Sequence, residues 1–558
     1  MTILRKNVVY ITIYPAILFF ERNFMLRVSN IKIDIDDPIE LVKTKVVKKL
    51  KISEKDLYDY SIFKESIDAR KKDTINLVYT VDIVLKDEKK ILKNKPKDTI
   101  QIKTNKYIDV KMGTLKMSRR PIIVGSGPAG LFACLLLAQR GYKPILLERG
   151  NDVDQRTKDI EEFWNDGKLN PNSNVQYGEG GAGTFSDGKL TTRMKDIRCQ
   201  KVLFEFVRFG APEEIMYSHK PHIGTDILKD VIKNMRNNII KLGGEVRFGS
   251  LVTNIFIKNE KICVLEINGN EKINCEHVIF AIGHSARDTY RMLYKNGIFM
   301  EQKPFAIGAR IEHPQEMINK SQYGKFANHP KLGAADYRLT VQTENGRSAY
   351  TFCMCPGGTV IASASSKGEL VTNGMSEHAR DKENANSGFL VNVNVEDYNS
   401  KHPLAGIDFQ EKYERLAFEL GGKNYKAPCQ LVGDFIKGRK STSIGKVKPS
   451  YKPGVTMANL SDCLPEFVVD SMREGIVKLD KKLKGFALED AVLTGIETRS
   501  SAPVRIKRDI NTLESVNISN FYPCGEGAGY AGGIVTAAVD GIKCAEKIIE
   551  KYDSSTLT

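Results

Sequence analysis

The chain has 558 residues, of which 41% are hydrophobic and 27% charged, and its formal net charge is +16. That length is too great for one core and predicts about three domains, with the composition of an ordinary soluble globular protein. Ten cysteines lie scattered without a repeating spacing, which excludes a disulfide framework and points to reduced thiols in a cytoplasm.

The positive charge is uneven: residues 1–120 hold 27 Lys/Arg against 16 Asp/Glu, whereas the rest holds 57 against 52. A basic appendage of this kind can meet nucleic acid or an acidic partner; the plainer reading, adopted here, is a solvated lysine-rich surface. At the start, Arg5 and Lys6 precede an apolar run, Val8–Phe20. The run has no small-residue cleavage site, contains Pro15 and is too short to span a membrane. Residues 1–24 are therefore expected to be an extension, disordered or non-native, that is dispensable for solubility and cofactor content.

Residues 25–110 read as a small α+β module. Val28–Ile35 alternates with period two. Asp37 can cap a helix with Pro38 at its first position and an apolar stripe of Ile39, Val42, Val46, Val47 and Leu50. Strands Asp59–Asp68 and Ile75–Leu85 follow, which suits a split βαβ unit. Residues 86–118 are lysine-rich and polar, and read as a linker.

Residues 119–149 carry the strongest signal. An apolar strand, Pro121–Val124, runs into Gly125-x-Gly127-x-x-Gly130; a helical stretch and a second strand then end in Glu148 and Arg149. Gly125 permits the tight turn, Gly127 lets backbone approach a pyrophosphate, and Gly130 lets the helix pack on the sheet. Pro128 and Ala129 open the helix, whose free N–H groups attract phosphate. An acid at Glu148 can hold ribose hydroxyls, which suits NAD or FAD rather than NADP.

Further on, Gly178–Leu190 has five glycines in its first eleven residues, the density that close approach to a flat ring needs. Val278–Ala286 (VIFAIGHSA) is a short strand with a turn at Gly283. Residues 301–489 interrupt the nucleotide-binding pattern, which resumes from 490 to 558. Their strand-like runs Phe305–Glu312, Tyr337–Gln342, Ser348–Met354 and Thr359–Ser363, with one helix at Asp408–Leu420, predict a β-rich inserted domain. Within it His378 and Arg380 form a proton donor and an anion clamp and are the expected catalytic residues; Arg499 and Arg505 come next. Cys353 and Cys355 would face one side of a strand, where a disulfide is strained, so they are read as buried structural thiols. No His/Cys cluster shows ligand spacing, and no metal is expected. The chain ends on a strand to Cys524, a glycine-rich loop and a helix starting near Gly533.

Four segments, VQYGEGGAGTFSDGKLTTR (175–193), YTFCMCPGG (350–358), NGMSEHARDKENANSG (373–388) and TGIETRSSAPVRI (494–506), resemble the uncharacterised FAD-dependent dehydrogenases of bacteria and plastids. More distantly, the chain resembles the glutathione reductase-like flavoproteins. The resemblance implies that Gly180, Gly181, Gly183, Thr184 and Lys189 lie along the pyrophosphate and flavin ring. It also implies that Gly283 borders the first nucleotide site, that Gly525 and Glu526 meet the ribitol or pyrophosphate, and that the helix start at Gly533 and Ile534 faces the flavin edge.

The expected fold class is therefore α/β: a discontinuous Rossmann-type FAD-binding domain (119–300 and 490–558), a β-rich inserted substrate domain (301–489) and a small N-terminal α+β domain (25–110). The expected function is a cytoplasmic FAD-dependent oxidoreductase that transfers a hydride through flavin N5 to or from a small organic substrate. No second GxGxxG follows a strand between 200 and 490, so NAD(P)H is expected only as a transient electron donor. The alternatives are a nucleic-acid-associated flavoprotein and a flavin-binding scaffold without turnover; neither nucleic acid nor membrane is the expected partner.

Overall fold

A computed structural model describes residues 24–94, 96–103 and 107–557. The expected extension, residues 1–24, lies outside the described residues except for Phe24, which opens the first strand. The chain forms two compact units.

The first unit comprises residues up to Ile108 together with 216–221 and 323–332. Its sheet is antiparallel, ordered Leu57–Asp68, Asn76–Leu85, Phe24–Asp34, Thr99–Lys103. Helix Leu41–Leu50 links the first strand to Leu57–Asp68, and Asn76–Leu85 inserts between those two, giving the split βαβ arrangement. Val42, Val46 and Leu50 close the core over Leu26, Val28, Ile33, Val81 and Ile83. Two expectations need correcting. The helix begins at Leu41 rather than after Asp37, because the Asp37 carboxylate accepts the Asp34 N–H at 3.0 Å and closes a turn instead. The lysine-rich stretch is also not all linker: Thr99–Lys103 pairs with Phe24–Val28 as an edge strand. Alternating Ile100 and Ile102 with polar neighbours suits an edge, where charge discourages further pairing.

The second unit holds a five-stranded parallel sheet ordered Phe521–Pro523, Val278–Phe280, Ile122–Val124, Ile145–Leu147, Glu245–Arg247. These strands are short, and all but the half-buried edge strand Glu245–Arg247 are almost wholly apolar, as strands covered on both faces are. Helices Pro128–Gln139 and Ile534–Lys551 pack so closely that a Cβ on Gly541 would lie 2.0 Å from the Ala129 carbonyl oxygen. A seven-stranded sheet follows, ordered Thr340–Gln342, Ser348–Cys355, Asn384–Val393, Phe305–Pro314, Val492–Glu497, Ala427–Leu431, Val455–Met457.

The expected return to the nucleotide domain at 490 is therefore too early. Val492–Glu497 is a central strand of the seven-stranded sheet, with Glu312 opposite Val492 and Gly308 opposite Glu497. The chain passes between the two sheets as a two-stranded ladder, Met300–Gln302 with Val504–Ile506. Among the described residues no helix is long and apolar enough to cross a membrane.

Candidate functional site

Strand Ile122–Val124 runs into Gly125, whose φ is +100° and whose Cβ, if present, would lie 2.3 Å from the Ala281 carbonyl oxygen. A Cβ at Gly130 would fall 1.8 Å from the Gly125 carbonyl oxygen, so Gly130 serves helix packing and does not line the cavity. Gly127 differs from both. Its φ is −69°, and a Cβ there would come no closer than 3.8 Å to another atom, Gly181 Cα. The space before it belongs to a cavity of about 340 Å³, which Gly125, Gly127, Pro128 and Ala129 line.

Glu148 also borders this cavity, yet its carboxylate is already held by the protein. Oε2 accepts the Ser126 N–H at 2.9 Å and the Ser126 hydroxyl at 2.7 Å; Oε1 accepts Gly150 N–H at 2.9 Å and Gly178 N–H at 3.0 Å. A carboxylate offers about four lone-pair sites, so the immediate task of Glu148 is to tie the phosphate turn to the glycine loop. Arg149 lines the same wall, with its guanidinium 4.3 Å from the Tyr177 ring centroid and its charge paired with Asp288.

The glycine loop is anchored from beneath by Arg156, a residue that sequence reasoning missed. It is fully buried and donates to the carbonyls of Asn174, Val175, Gly178 and Glu179. Gly181 and Gly183 line the cavity. Gly180 and Thr184 do not: a Cβ on Gly180 would meet Thr184 Oγ1 at 2.1 Å, and both belong to the loop's own packing. At the loop's end Lys189 faces the cavity beside Asp187, 3.2 Å away. Burial opposes ionisation of Asp187, but Lys189 and Arg380 together hold its carboxyl below the usual range.

From the opposite side come Gly283, Gly532 and Gly533, all lining the cavity and all with nothing within 4 Å of a would-be Cβ. Gly533 is the N-cap of helix Ile534–Lys551, with no side chain capping it, and Ile534 also faces the cavity. Burial raises the cavity-lining Glu526 carboxyl to about 7, against the pull of the Gly533 N–H. Gly525 stands behind, its N–H bound to Asp540 at 2.7 Å. Two open helix starts and a ring of glycines with free space before them make a cradle suited to a dinucleotide.

The far wall comes from the seven-stranded sheet, with Phe352, Cys353 and Glu497, from Asn373 on the neighbouring strand Thr372–Met375, and from Arg499 just past Val492–Glu497. Arg310, fully buried in the apolar strand Phe305–Pro314, organises it. Its guanidinium pairs with Glu497 at 2.6 Å and donates to Asn373 Oδ1 and the Cys353 carbonyl, each at 2.8 Å. Gly374 and Gly388 clear room, since a Cβ on either would lie 2.8 Å from Arg310 Nη1 and 3.0 Å from Glu497 Oε1, respectively. Burial raises the Glu497 carboxyl to about 7 even beside Arg310. Burial and the Arg499 and Arg287 cations lower His284, also on the wall, to about 3, so its ring is neutral near pH 7.

The expected catalytic pair is displaced from this wall. Arg380 is not a free clamp: its guanidinium binds Asp187 through both Oδ1, at 3.0 Å, and Oδ2, at 2.5 Å. His378 stacks on His222 at 5.1 Å and places Nδ1 3.0 Å from the Ile223 carbonyl oxygen. Neither lines the cavity. Arg499 does line it, but is held by Glu414 and Ser365, and Arg505 pairs with Glu301. Nor are both cysteines buried, as expected of them: Cys353 borders the cavity, whereas Cys355 is fully buried. The fold also gathers Cys524, Asp540 and Cys544 within 4.8 Å, which no spacing in the sequence showed. Arg508 binds both Asp540 oxygens, so that acid's charge is balanced within the protein.

Residues 304–500 match a family described as FAD-dependent protein, C-terminal domain-like; residues 123–178 match the NAD(P)-binding Rossmann-like domain; and residues 25–84 match a domain of unknown function. An uncharacterized protein of Clostridium beijerinckii is 55% identical over 530 residues, which cover 95% of this chain and 99% of that protein. Among solved structures, a mutant of halogenase PltM in complex with FAD aligns with 77% of this chain and 69% of its own at 11% identity and a TM-score of 0.38. Tetracycline destructase Tet(51) aligns with 77% of this chain and 80% of its own at 11% identity and a TM-score of 0.31.

Proposed function

The chain belongs to one FAD-dependent protein family with its Clostridium beijerinckii relative, and on that premise we propose that it is an oxidoreductase passing a hydride through the flavin to or from a small organic substrate. FAD is its cofactor. One observation carries the reading: a single cavity joins the dinucleotide cradle of Gly127, Gly283 and Gly533 to a wall bearing an acid, Glu497, and a cation, Lys189. When bound, FAD supplies two-electron oxidation and reduction. The glycine turns hold it, Arg156 keeps the loop closed beside it, and Arg310 fixes the wall opposite. Hydride transfer to or from an organic molecule needs a partner group to give or take a proton; Glu497 fills that role, with Lys189 orienting a polar or anionic substrate. NADH or NADPH docks transiently at the same cavity as electron donor. Anaerobic mixing of the yellow protein with NADH, NADPH and a panel of metabolites tests this reading, and flavin that none of them reduces or reoxidises would overturn it.

The pH dependence has a definite sign. Because the folded protein raises Glu497 to about 7, its proton is held below that pH and lost as pH rises through it. Reduction steps that need the acid should slow across this window. In Glu497→Gln, which cannot release a proton, the profile should lose that inflection while flavin stays bound. An unchanged inflection would assign it to another group.

Arg380→Ala should leave flavin content intact, since the residue lies outside the cavity, yet slow flavin reduction by about tenfold through the loosened Asp187–Lys189 pair. His378→Ala should change neither. Stopped-flow flavin absorbance measures both; a His378 variant as slow as the Arg380 variant would return the chemistry to that segment.

A further inference from the structure

Cys353 and Cys355 sit where strand Ser348–Cys355 loses its regular pairing. The register against Asn384–Val393 shifts between Phe352 and Cys355. Cys353 adopts φ +42°, a left-handed conformation that non-glycine residues rarely take and that clusters at functional sites. In an undisturbed strand the two side chains would stand apart on one face; here the turn brings the sulfurs within hydrogen-bonding reach of each other. The Cys355 thiol also lies 3.3 Å from the Cys353 carbonyl oxygen. The carbonyl is fixed in turn by Arg310 at 2.8 Å.

The surroundings treat the two sulfurs differently. Cys353 opens onto the cavity together with Lys189 and Glu497, whereas Cys355 is fully buried behind it. A hydrogen bond from Cys355 and the nearby Lys189 and Arg310 cations bring the Cys353 thiol down to about 5, against burial. The same contact and burial push Cys355 well up. The surroundings thus favour the thiolate at Cys353 and the thiol at Cys355, the pairing from which a disulfide closes. Among the other buried cysteines of the second unit, Cys134 and Cys463 are pushed up chiefly by burial and lie away from the cavity, whereas Cys524 borders it and is pushed up by burial and by its neighbour Cys544.

We infer that Cys353 and Cys355 are a redox pair that exchanges two electrons with the bound FAD. As the sulfur–sulfur bond closes, the Cys353 thiolate and the Cys355 thiol together give up two electrons and the Cys355 proton. FAD accepts both electrons and that proton, leaving anionic reduced flavin, so charge and atoms balance. The reverse step breaks the bond and returns the proton to Cys355. The pair thereby makes a dithiol or disulfide one class of electron partner for this site. The inference rests on the flavin reading above.

The test uses the holoprotein, reduced anaerobically in titrated steps and compared with Cys353→Ser and Cys355→Ser. Wild type, starting with the pair oxidised, should take up twice the reducing equivalents per bound flavin that either variant takes. Cys355→Ser, which leaves a lone thiolate at the cavity, should show a long-wavelength charge-transfer absorbance that Cys353→Ser lacks. Because a serine at the buried position can impair folding, peptide mass spectrometry after differential alkylation of wild type supplies an independent readout: the 353–355 peptide should be disulfide-closed in oxidised protein and doubly alkylated in reduced protein. Equal uptake in all three proteins, or a peptide alkylated twice in both states, would overturn the redox pair while leaving the flavin assignment standing. Wild type without bound FAD would instead overturn the reading beneath it.

Discussion

Glu148→Ala should purify nearly colourless. The carboxylate is 5% exposed and accepts four hydrogen bonds, two from Ser126 and one each from Gly150 and Gly178. Removing it leaves buried N–H groups without acceptors, each costing about 1–3 kcal/mol, and releases the phosphate turn from the glycine loop. Loss of even two such anchors weakens FAD binding by on the order of 100-fold or more. Gly127→Val probes the same cavity differently. A side chain there meets no protein atom closely, only the open space before the helix, so this variant should fold normally and still lose flavin. Flavin released per mole of protein, identified as FAD rather than FMN by chromatography, measures both. Full flavin retention by the two variants would refute the site.

Arg310→Met should destabilise the second unit by about 3–5 kcal/mol, the usual consequence of stranding one member of a buried ion pair. Arg310 is fully buried and serves Glu497, Asn373 and the Cys353 carbonyl at once. The loss should depend on pH with a known sign. Without its cation Glu497 binds its proton still more tightly when folded, so the deficit shrinks as pH falls and grows as pH rises through the acid's titration. Arg310→Met with Glu497→Leu, which removes both charges, should recover part of the stability. Denaturant midpoints at two pH values decide the matter. A double variant no better than the single one, or a deficit flat in pH, would show that packing around Arg310, and not its charge, holds the wall.

The strand–turn–helix around Gly125, Gly127 and Gly130 was legible in the chain because its determinants are local. A tight turn, a helix start and a following strand are set by residues within about 25 positions of one another. The same holds for Gly533 at the start of the last helix and for three of the seven strands of the larger sheet, Phe305–Pro314, Thr340–Gln342 and Ser348–Cys355. The small unit's helix start was misjudged because two local solutions competed for Asp37: capping a helix, or closing a turn on Asp34. The second won.

What tertiary structure alone decided is the wall opposite the dinucleotide cradle. Arg310, Cys353, Asn373 and Glu497 lie on four different strands and are up to 187 positions apart, so no spacing in the sequence announces them. One sign was available: Arg310 and Glu312 follow directly on the apolar run Phe305–Ala309, since a charge placed there must find a partner. The sequence could not name that partner. His378 and Arg380 looked free because proton donors and anion clamps are recognised by residue type, whereas freedom is a property of neighbours. Folding set Asp187 against Arg380 and His222 against His378. Local backbone preference thus determined where the dinucleotide turns lie, and long-range charge pairing, invisible along the chain, determined which polar groups remained to face the cavity.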